Sequence, residues 1–187
     1  MSPNTGQDDV VTLLRAQHER IRTLFDEVDQ AADDEGKQAK FEELRRLLAV
    51  HETAEEMIVH PEVRHADGGA AVVDVLLREE RDAKEVLADL DGMRVTDRGF
   101  AGRFATLRRA VLAHAESEER EEFPLLQEST DQKTLIRMAS AVRAAEAMAP
   151  THPHPGVESL TANLVAGPIA SLVDRTRDAV RAALGRG

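Results

Sequence analysis

Apolar residues recur through the first two thirds of the chain at alternating steps of three and four, which places them on one face of an α-helix. Four such stripes are separated by polar or glycine-containing segments. They comprise Val11, Leu14, His18, Ile21, Phe25 and Val28; Phe41, Leu44, Leu48, His51, Glu55 and Ile58; Val73, Leu76, Glu80, Ala83, Leu87 and Leu90; and Phe104, Leu107, Val111, His114 and Glu118. No strand-like alternation is sustained. We therefore predict an all-α fold, an up-down-up-down four-helix bundle whose second and fourth helices stop at Pro61 and Pro124.

Weaker helical patterns follow over residues 131–148 and 157–184 and predict additional C-terminal helices. The segment APTHPHPG, with three prolines in six residues, separates them, and Gly167-Pro168 is expected to kink or split the last one. We divide the chain into a disordered tail over 1–9, the bundle over 10–125 and a C-terminal helical extension over 126–187. The extension either caps the bundle or pairs two subunits, so a homodimer through the last helix is one alternative.

One phrase occurs twice in the bundle. HETAEEMIVHP runs over residues 51–61 and HAESEEREEFP over residues 114–124, an offset of 63, while the first and third stripes superpose at an offset of 62. We infer two helix pairs related by an internal twofold.

Each stripe carries ionisable residues where apolar ones are expected. A histidine and a glutamate four residues apart share one helix face, so each His-x-x-x-Glu pair should point the same way. Buried and unpaired, such groups cost several kcal/mol each, roughly, and bound cations would offset that cost. The predicted metal ligands are His18, His51, Glu55, Glu80, His114 and Glu118. A helical interaction protein without metal is the alternative, and it explains these buried charges poorly.

The ligand types suit iron or manganese, with zinc as a further alternative, because they combine imidazole and carboxylate without thiolate. Three histidines and three glutamates, two of them bridging, fit two ions joined by an oxo or hydroxo group and leave open positions. Such a site suits binding or redox chemistry of a small molecule.

Other polar residues near these positions have alternative roles. Glu79 is the alternative to Glu80, but only Glu80 keeps the spacing of its stripe. Glu56 and Glu119 are expected outside the ligand set, where they can hold histidine N–H groups. On a regular helix His60 points nearly opposite to His51, which favours a structural role at the helix end over a ligand role. His152 and His154 could fold over one end of the bundle and reach the metals.

Composition narrows the partners and the compartment. The formal charge of −11 disfavours nucleic acid and anionic membrane surfaces as partners. The chain has no cysteine, which excludes disulfides and thiolate ligands and allows a reducing compartment. The start MSPNTGQDD has no signal-peptide pattern, and no apolar run is long enough to span a membrane. We expect a soluble cytoplasmic protein.

The residues His18, HETAEE, HAESEE and the proline closing each repeat resemble the hemerythrin-like family, specifically its bacterial HHE cation-binding domains. The match covers about residues 10–125, and the segment after it suggests an actinobacterial-type subgroup. The resemblance implies a non-heme di-iron centre within a four-helix bundle. Family members bind or sense oxygen, handle nitric oxide, sense or repair iron, and in some actinobacterial relatives are associated with peroxide breakdown. Oxygen carriers have two histidines on the third helix, where this chain offers Glu80.

The resemblance and the ligand set together predict a di-iron protein reacting with a small oxygen species, most concretely hydrogen peroxide, in a catalase-like role against oxidative stress. The alternative is a module that binds or senses oxygen, nitric oxide or iron without turnover. The residues leave open which of these applies.

Overall fold

The computed structural model describes residues 8–148 and 168–183, and every regular element within those ranges is helical. The all-α prediction is therefore confirmed. The α-helices are α1 (Val10–Gln30), α2 (Asp34–Ala54), α3 (His60–Val63), α4 (Gly69–Leu90), α5 (Phe100–Ser117), α6 (Phe123–Ser129), α7 (Gln132–Met148) and α8 (Pro168–Ala183). A π-helical turn over Glu55–Val59 joins α2 to α3, and a second over Glu118–Glu122 joins α5 to α6. None of the described helices is long and apolar enough to cross a membrane.

Two apolar clusters lie on either side of a polar layer in the bundle. One is built around the four phenylalanines Phe25, Phe41, Phe100 and Phe104, whose rings pack at centroid distances of 5.0–5.8 Å. The other gathers the N-terminal turn of α1, the π turn and α3, Phe123 of α6 and the apolar face of α7. The histidines and glutamates of the four stripes fall between these clusters along each helix, so burial on both sides fixes the depth of the polar layer.

Side-chain caps set where the first helices begin. Asp9 Oδ1 accepts a hydrogen bond from Thr12 N at 2.9 Å, and Asp33 Oδ1 accepts one from Gly36 N at 2.7 Å. These bonds satisfy backbone donors that a helix N-terminus leaves unpaired. Asp9 thus belongs to the start of α1 and not to the predicted tail, whose residues 1–7 lie outside the described ranges.

The predicted helix stops at Pro61 and Pro124 are wrong. Helical structure continues through them, to Val63 in α3 and to Ser129 in α6. Just before each proline, the His60 N–H bonds Glu55 O and the Phe123 N–H bonds Glu118 O, both five residues back. This wider turn moves the preceding carbonyls away from the proline ring, which would meet them in a regular α-helix.

The C-terminal helices pack on the bundle. Leu135, Met138, Val142 and Ala145 of α7 share the apolar cluster with α1 and α6, and Val180 of α8 joins them. The fifth predicted helix corresponds to α7, and α8 begins at Pro168. Residues 157–167 of the last predicted segment lie outside the described ranges. The predicted boundary between residues 125 and 126 falls inside α6, so no break in the helix marks it.

Candidate metal centre

The described structure brings all six predicted ligands into the polar layer, together with one residue that was not predicted. They form two clusters in which candidate ligand atoms lie within 4.8 Å of one another. The first comprises His18, His51, Glu55 and Glu118; the second comprises Glu52, Glu80 and His114. All seven side chains are buried. We call these seven residues the cage.

Glu118 lies between the two clusters. Its Oε2 is 3.2 Å from His18 Nε2 in the first cluster, and its Oε1 is 3.2 Å from His114 Nε2 in the second. None of these four atoms makes a well-formed hydrogen bond. Neighbouring ligands of an octahedral cation with bonds of about 2.1 Å stand about 3 Å apart. The distances therefore fit lone pairs converging on shared cations better than a hydrogen-bond network.

Buried atoms without hydrogen-bond partners concentrate in the cage. The buried atoms without a partner include both carboxylate oxygens of Glu55 and of Glu118, one of Glu52, and the Nε2 atoms of His18 and His114. Orphaned buried polar groups cost roughly 1–3 kcal/mol each, more when charged. The donor set of imidazole nitrogens and carboxylate oxygens, with these atoms free, fits transition-metal binding.

The outer ring nitrogens of the cage histidines are each held by a polar side chain. His51 Nδ1 lies 2.7 Å from Gln17 Oε1, His18 Nδ1 lies 2.9 Å from Glu119 Oε1, and His114 Nδ1 lies 3.2 Å from Glu79 Oε2. In each contact the Nδ1–H can donate, so Nε2 is the ring nitrogen that faces the centre and can bind a cation once it carries no proton. The prediction that Glu119 holds a histidine N–H fits this geometry. Glu79, rejected as a ligand, holds His114 instead.

These contacts repeat across the internal twofold. At offsets of 62 and 63 the Gln17–His51 contact corresponds to Glu79–His114. Likewise, the Arg22–Glu119 ion pair, 3.2 Å long, corresponds to the pair of Lys84 and Glu56. The halves differ at the ligand itself, where His18 of α1 is matched by Glu80 of α4.

The structure corrects the prediction that His60 points nearly opposite to His51. Nine residues of regular α-helix would turn it about 180° from His51, but the π turn absorbs one extra residue and removes about 100° of that rotation. Its buried ring instead lies between two carboxylates, with Nε2 2.5 Å from Glu80 Oε1 and Nδ1 2.7 Å from Glu122 Oε1. Phe123 takes the equivalent place in the second repeat and stacks on His18 at 5.7 Å. His60 thus supports Glu80 of α4, and Phe123 supports His18 of α1.

The cage is electrostatically unbalanced without cations. Burial raises the pKa of Glu55 well above its usual value, and the carboxylate of Glu118 adds to the effect. Burial works to lower the pKa of His114, but Glu118 beside it raises the pKa to about 10. Burial lowers the pKa of His51 to about 3, with neighbouring His18 acting in the same direction. Protons and ion pairs within the protein thus offset part of the buried negative charge.

Around Glu80, protein cations offset the negative charge. Burial works to raise the pKa of Glu80, but His60 and Lys84 lower it to about 2. Burial works to lower the pKa of His60, but its hydrogen bonds to Glu122 and Glu80 outweigh burial and raise the pKa to about 10. Lys84 Nζ contacts Glu80 Oε2 at 2.7 Å and also pairs with Glu56. Glu80 is therefore ionised and fixed in place before any metal binds.

Glu52 and Glu122 are the functional candidates that sequence reasoning missed. In the second repeat Glu52 is matched by Ala115, and Glu122 is matched by Val59 in the first, so the repeat marks neither position. Glu52 is buried because residues 49–55 are covered on nearly every side, which a simple four-helix bundle does not predict. The predicted alternatives His152 and His154 lie outside the described residues.

Comparison with known proteins places this centre in a family. The model of the hemerythrin HHE cation-binding domain matches residues 9–126, which contain the whole cage. An uncharacterized hemerythrin-like protein of Schizosaccharomyces pombe is 24% identical over 164 residues, covering 86% of this chain and 81% of that protein. A Nostoc protein named DNA nickase is 25% identical over 134 residues. This match covers 72% of this chain and only 38% of the nickase.

Among solved structures, a hemerythrin HHE cation-binding-domain protein from Mycobacterium kansasii matches with a TM-score of 0.65. The match covers 73% of this chain and 84% of the other, at 22% sequence identity. At this identity the likeness bears on the helical-bundle fold alone.

Proposed function

Since the chain belongs to the hemerythrin HHE cation-binding family, we propose that it is a cytoplasmic non-heme di-iron protein that breaks down hydrogen peroxide. The observation that carries the proposal is the position of Glu118, whose two oxygens face histidines of different clusters at 3.2 Å. A carboxylate in that position can bridge two ions, and each cluster has enough donors to hold one.

The proposed ligands divide between the two ions. His18, His51 and Glu55 would hold one ion, Glu52, Glu80 and His114 would hold the other, and Glu118 would hold both. When bound, the pair of irons would supply a two-electron redox couple. The reaction converts two molecules of peroxide into two of water and one of oxygen, so it needs no other reductant.

The protein's own groups prepare the centre for this chemistry. Gln17, Glu79 and Glu119 orient the three imidazoles through Nδ1, so their rings need not reorganise when cations bind. His60, hydrogen-bonded on both nitrogens, keeps its protons and fixes Glu80. The apolar clusters enclose the polar layer on both sides along the bundle. These features favour a preorganised centre over a flexible metal-storage site.

The abundance of carboxylates favours reaction with an oxidant over reversible oxygen carriage. The cage has four glutamates and three histidines. Each anionic oxygen stabilises the more highly charged ferric state by Coulomb attraction, strongly so in a buried site. Glu80 adds negative charge at the position where oxygen carriers have histidine.

The test combines metal analysis with oxygen release. We expect close to two irons per chain after iron-replete expression, and oxygen evolution when peroxide is added to the purified protein in an electrode cell. Glu118→Gln keeps the size of the side chain but removes its charge, so it should lose more than half of the iron and the oxygen evolution. Glu121→Gln, on an exposed side chain of the same π turn, is the matched control and should retain both.

The outcomes separate the parts of the proposal. One iron or none per chain would contradict the di-iron centre. Two irons without oxygen release would contradict peroxide breakdown and would leave binding or sensing of oxygen or nitric oxide as the function.

A further inference from the structure

A cleft of about 400 Å³ opens beside the second cluster of the cage. Among the described residues its walls come from α2 and the π turn after it, α4 and Asp91 just beyond it, α5 and α8. Ligand pockets commonly span roughly 300–1,000 Å³, whereas one water takes about 30 Å³. Hydrogen peroxide would fill only a small part of this space. The size of the cleft therefore calls for a larger ligand.

The cleft has an apolar end and a charged end. Leu48, Leu87 and Leu107 form buried apolar walls at one end, while Glu52, Lys84 and Arg177 line the other. Leu48 and Glu56, which both line it, lie eight residues apart on one helical segment, a rise of about 12 Å. A ligand that matches this surface has a polar head beside the cage and an apolar chain of about this length.

Charge at the polar end selects an anionic head. Arg177 comes no closer than 3.9 Å to the carboxylates of Glu56 and Asp174, which is too long for a hydrogen bond. Lys84 Nζ contacts Glu80 at 2.7 Å, pairs with Glu56, and stands 3.8 Å from Glu52. If Glu52 and Glu80 are neutralised by bound cations, Glu56 is the one ionised carboxylate of the lining left at this end, where it faces both Lys84 and Arg177. This step rests on the proposed function, because it requires an occupied second cluster.

We propose that this cleft binds a medium-chain aliphatic monocarboxylate. Its carboxylate lies between Lys84 and Arg177, and its chain runs toward Leu87 and Leu107. Asp91, the other acidic residue of the cleft, is already paired with Arg45, so it adds little negative charge at the apolar end. Helix α8 supplies Arg177, which gives the C-terminal extension a part in ligand binding.

Calorimetric titration of the iron-loaded protein with decanoate tests the proposal. We expect saturable binding of one decanoate per chain, with acetate and decylammonium at least about tenfold weaker because each lacks either the chain or the negative charge. Arg177→Gln should weaken decanoate binding about tenfold, as for loss of a charged hydrogen bond. Arg181→Gln, one turn further along α8 and outside the cleft, is the matched control and should bind as the native chain does.

A second readout does not depend on calorimetry. Ala88 is exposed at the rim of the cleft, and the chain has no tryptophan. Ala88→Trp therefore places a single fluorophore at the rim, and decanoate should shift its emission to the blue, whereas decylammonium at the same concentration should not.

Failure of this inference is distinguishable from failure of the proposed function. Full iron loading without decanoate binding, or decanoate binding that Arg177→Gln leaves unchanged, overturns the carboxylate site and leaves the di-iron centre standing. Absent iron contradicts the di-iron centre. Decanoate binding that Arg177→Gln weakens in such a protein would still support a carboxylate site, but would overturn the premise that cations must first occupy the second cluster.

Discussion

His60 is hydrogen-bonded to two carboxylates in the interior of the protein. Glu80 and Glu122 are both buried and both lie within 2.7 Å of its ring. Breaking a buried ion pair by removing one partner costs about 3–5 kcal/mol. We therefore expect His60→Ala to lower the free energy of unfolding by about that amount and to reduce metal content through loss of Glu80 positioning. Urea denaturation with elemental analysis measures both.

His65 provides the matched control. It lies five residues later and is exposed, so His65→Ala should change stability by no more than about 0.5 kcal/mol. Equal stability of the two variants would show that His60 carries no such role.

The cage residues differ in how visible they are in the sequence. His18, His51, Glu55, Glu80, His114 and Glu118 interrupt apolar stripes in register, and periodicity alone brings them to one layer. Glu52 neighbours His51 and points about 100° away from it around the helix, toward a side that α4 and α5 bury. Only the packing of neighbouring helices turns that position inward. A pattern taken from one helix at a time cannot contain this information.

Metal binding should release protons, because the metal-free cage holds them where cations would sit. Burial works to lower the pKa of His114, but Glu118 raises it to about 10, so its ring is protonated at neutral pH. A ligand nitrogen must lose that proton. We expect ferrous or zinc binding to release about one proton or more per chain and to tighten as pH rises from 6 toward 9. Titration heats that do not depend on buffer ionisation enthalpy would contradict this.

At the scale of single elements, the turn into α4 depends on glycine. Gly68 has a φ of 75°, and a Cβ on Gly69 would come within 1.9 Å of the carbonyl oxygen of Val63. The neighbour is backbone and cannot move aside, so Gly69→Ala should destabilise the protein by about 1–3 kcal/mol. Thermal unfolding measures the effect.

Gly102 in α5 is the matched comparison for this substitution. A Cβ there would meet nothing within 4 Å. Gly102→Ala should therefore stabilise the protein by roughly 0.5–1 kcal/mol, because alanine loses less backbone entropy in a helix. Destabilisation of similar size at both positions would show that the close approach to Val63 does not govern the turn.

The π turns are the elements that sequence periodicity could not predict. Both HETAEEMIVHP and HAESEEREEFP read as regular helices up to a proline, since a single extra residue in a turn leaves no mark on composition. The wider turn depends on tertiary packing. It directs His60 and Phe123 toward the cage while the helix continues past the proline. Helix existence was therefore predictable, whereas the helix ends and the facing of His60 were not.

At the scale of the whole molecule, the absence of tryptophan and tyrosine gives a clean optical signal. The metal-free chain should absorb almost nothing near 280 nm, because in place of tryptophan and tyrosine it has only five phenylalanines, which absorb at shorter wavelength. An oxo-bridged diferric centre absorbs in the near ultraviolet. We therefore expect a near-ultraviolet shoulder in the iron-loaded protein that bleaches with dithionite. A protein with full iron content and no such shoulder would contradict an oxo-bridged centre.

The placement of α7 and α8 could not be predicted from the sequence. The four stripes predicted the bundle, but they left α7 and α8 free to cap it or to pair subunits. The structure packs both helices against the bundle. Pairing of two chains through α8 stays a prediction, which the molecular mass in solution can decide.

The imperfect internal twofold has a spectroscopic consequence. His18 in one half corresponds to Glu80 in the other, and the neutral amide of Gln17 corresponds to the carboxylate of Glu79. Equivalent positions therefore present different donors and different outer charges. Two irons in the cage would experience unequal electric-field gradients. Mössbauer spectra of protein loaded with enriched isotope should therefore resolve two quadrupole doublets of equal area, and a single doublet would mean that the duplication has kept its symmetry where it matters to the metals.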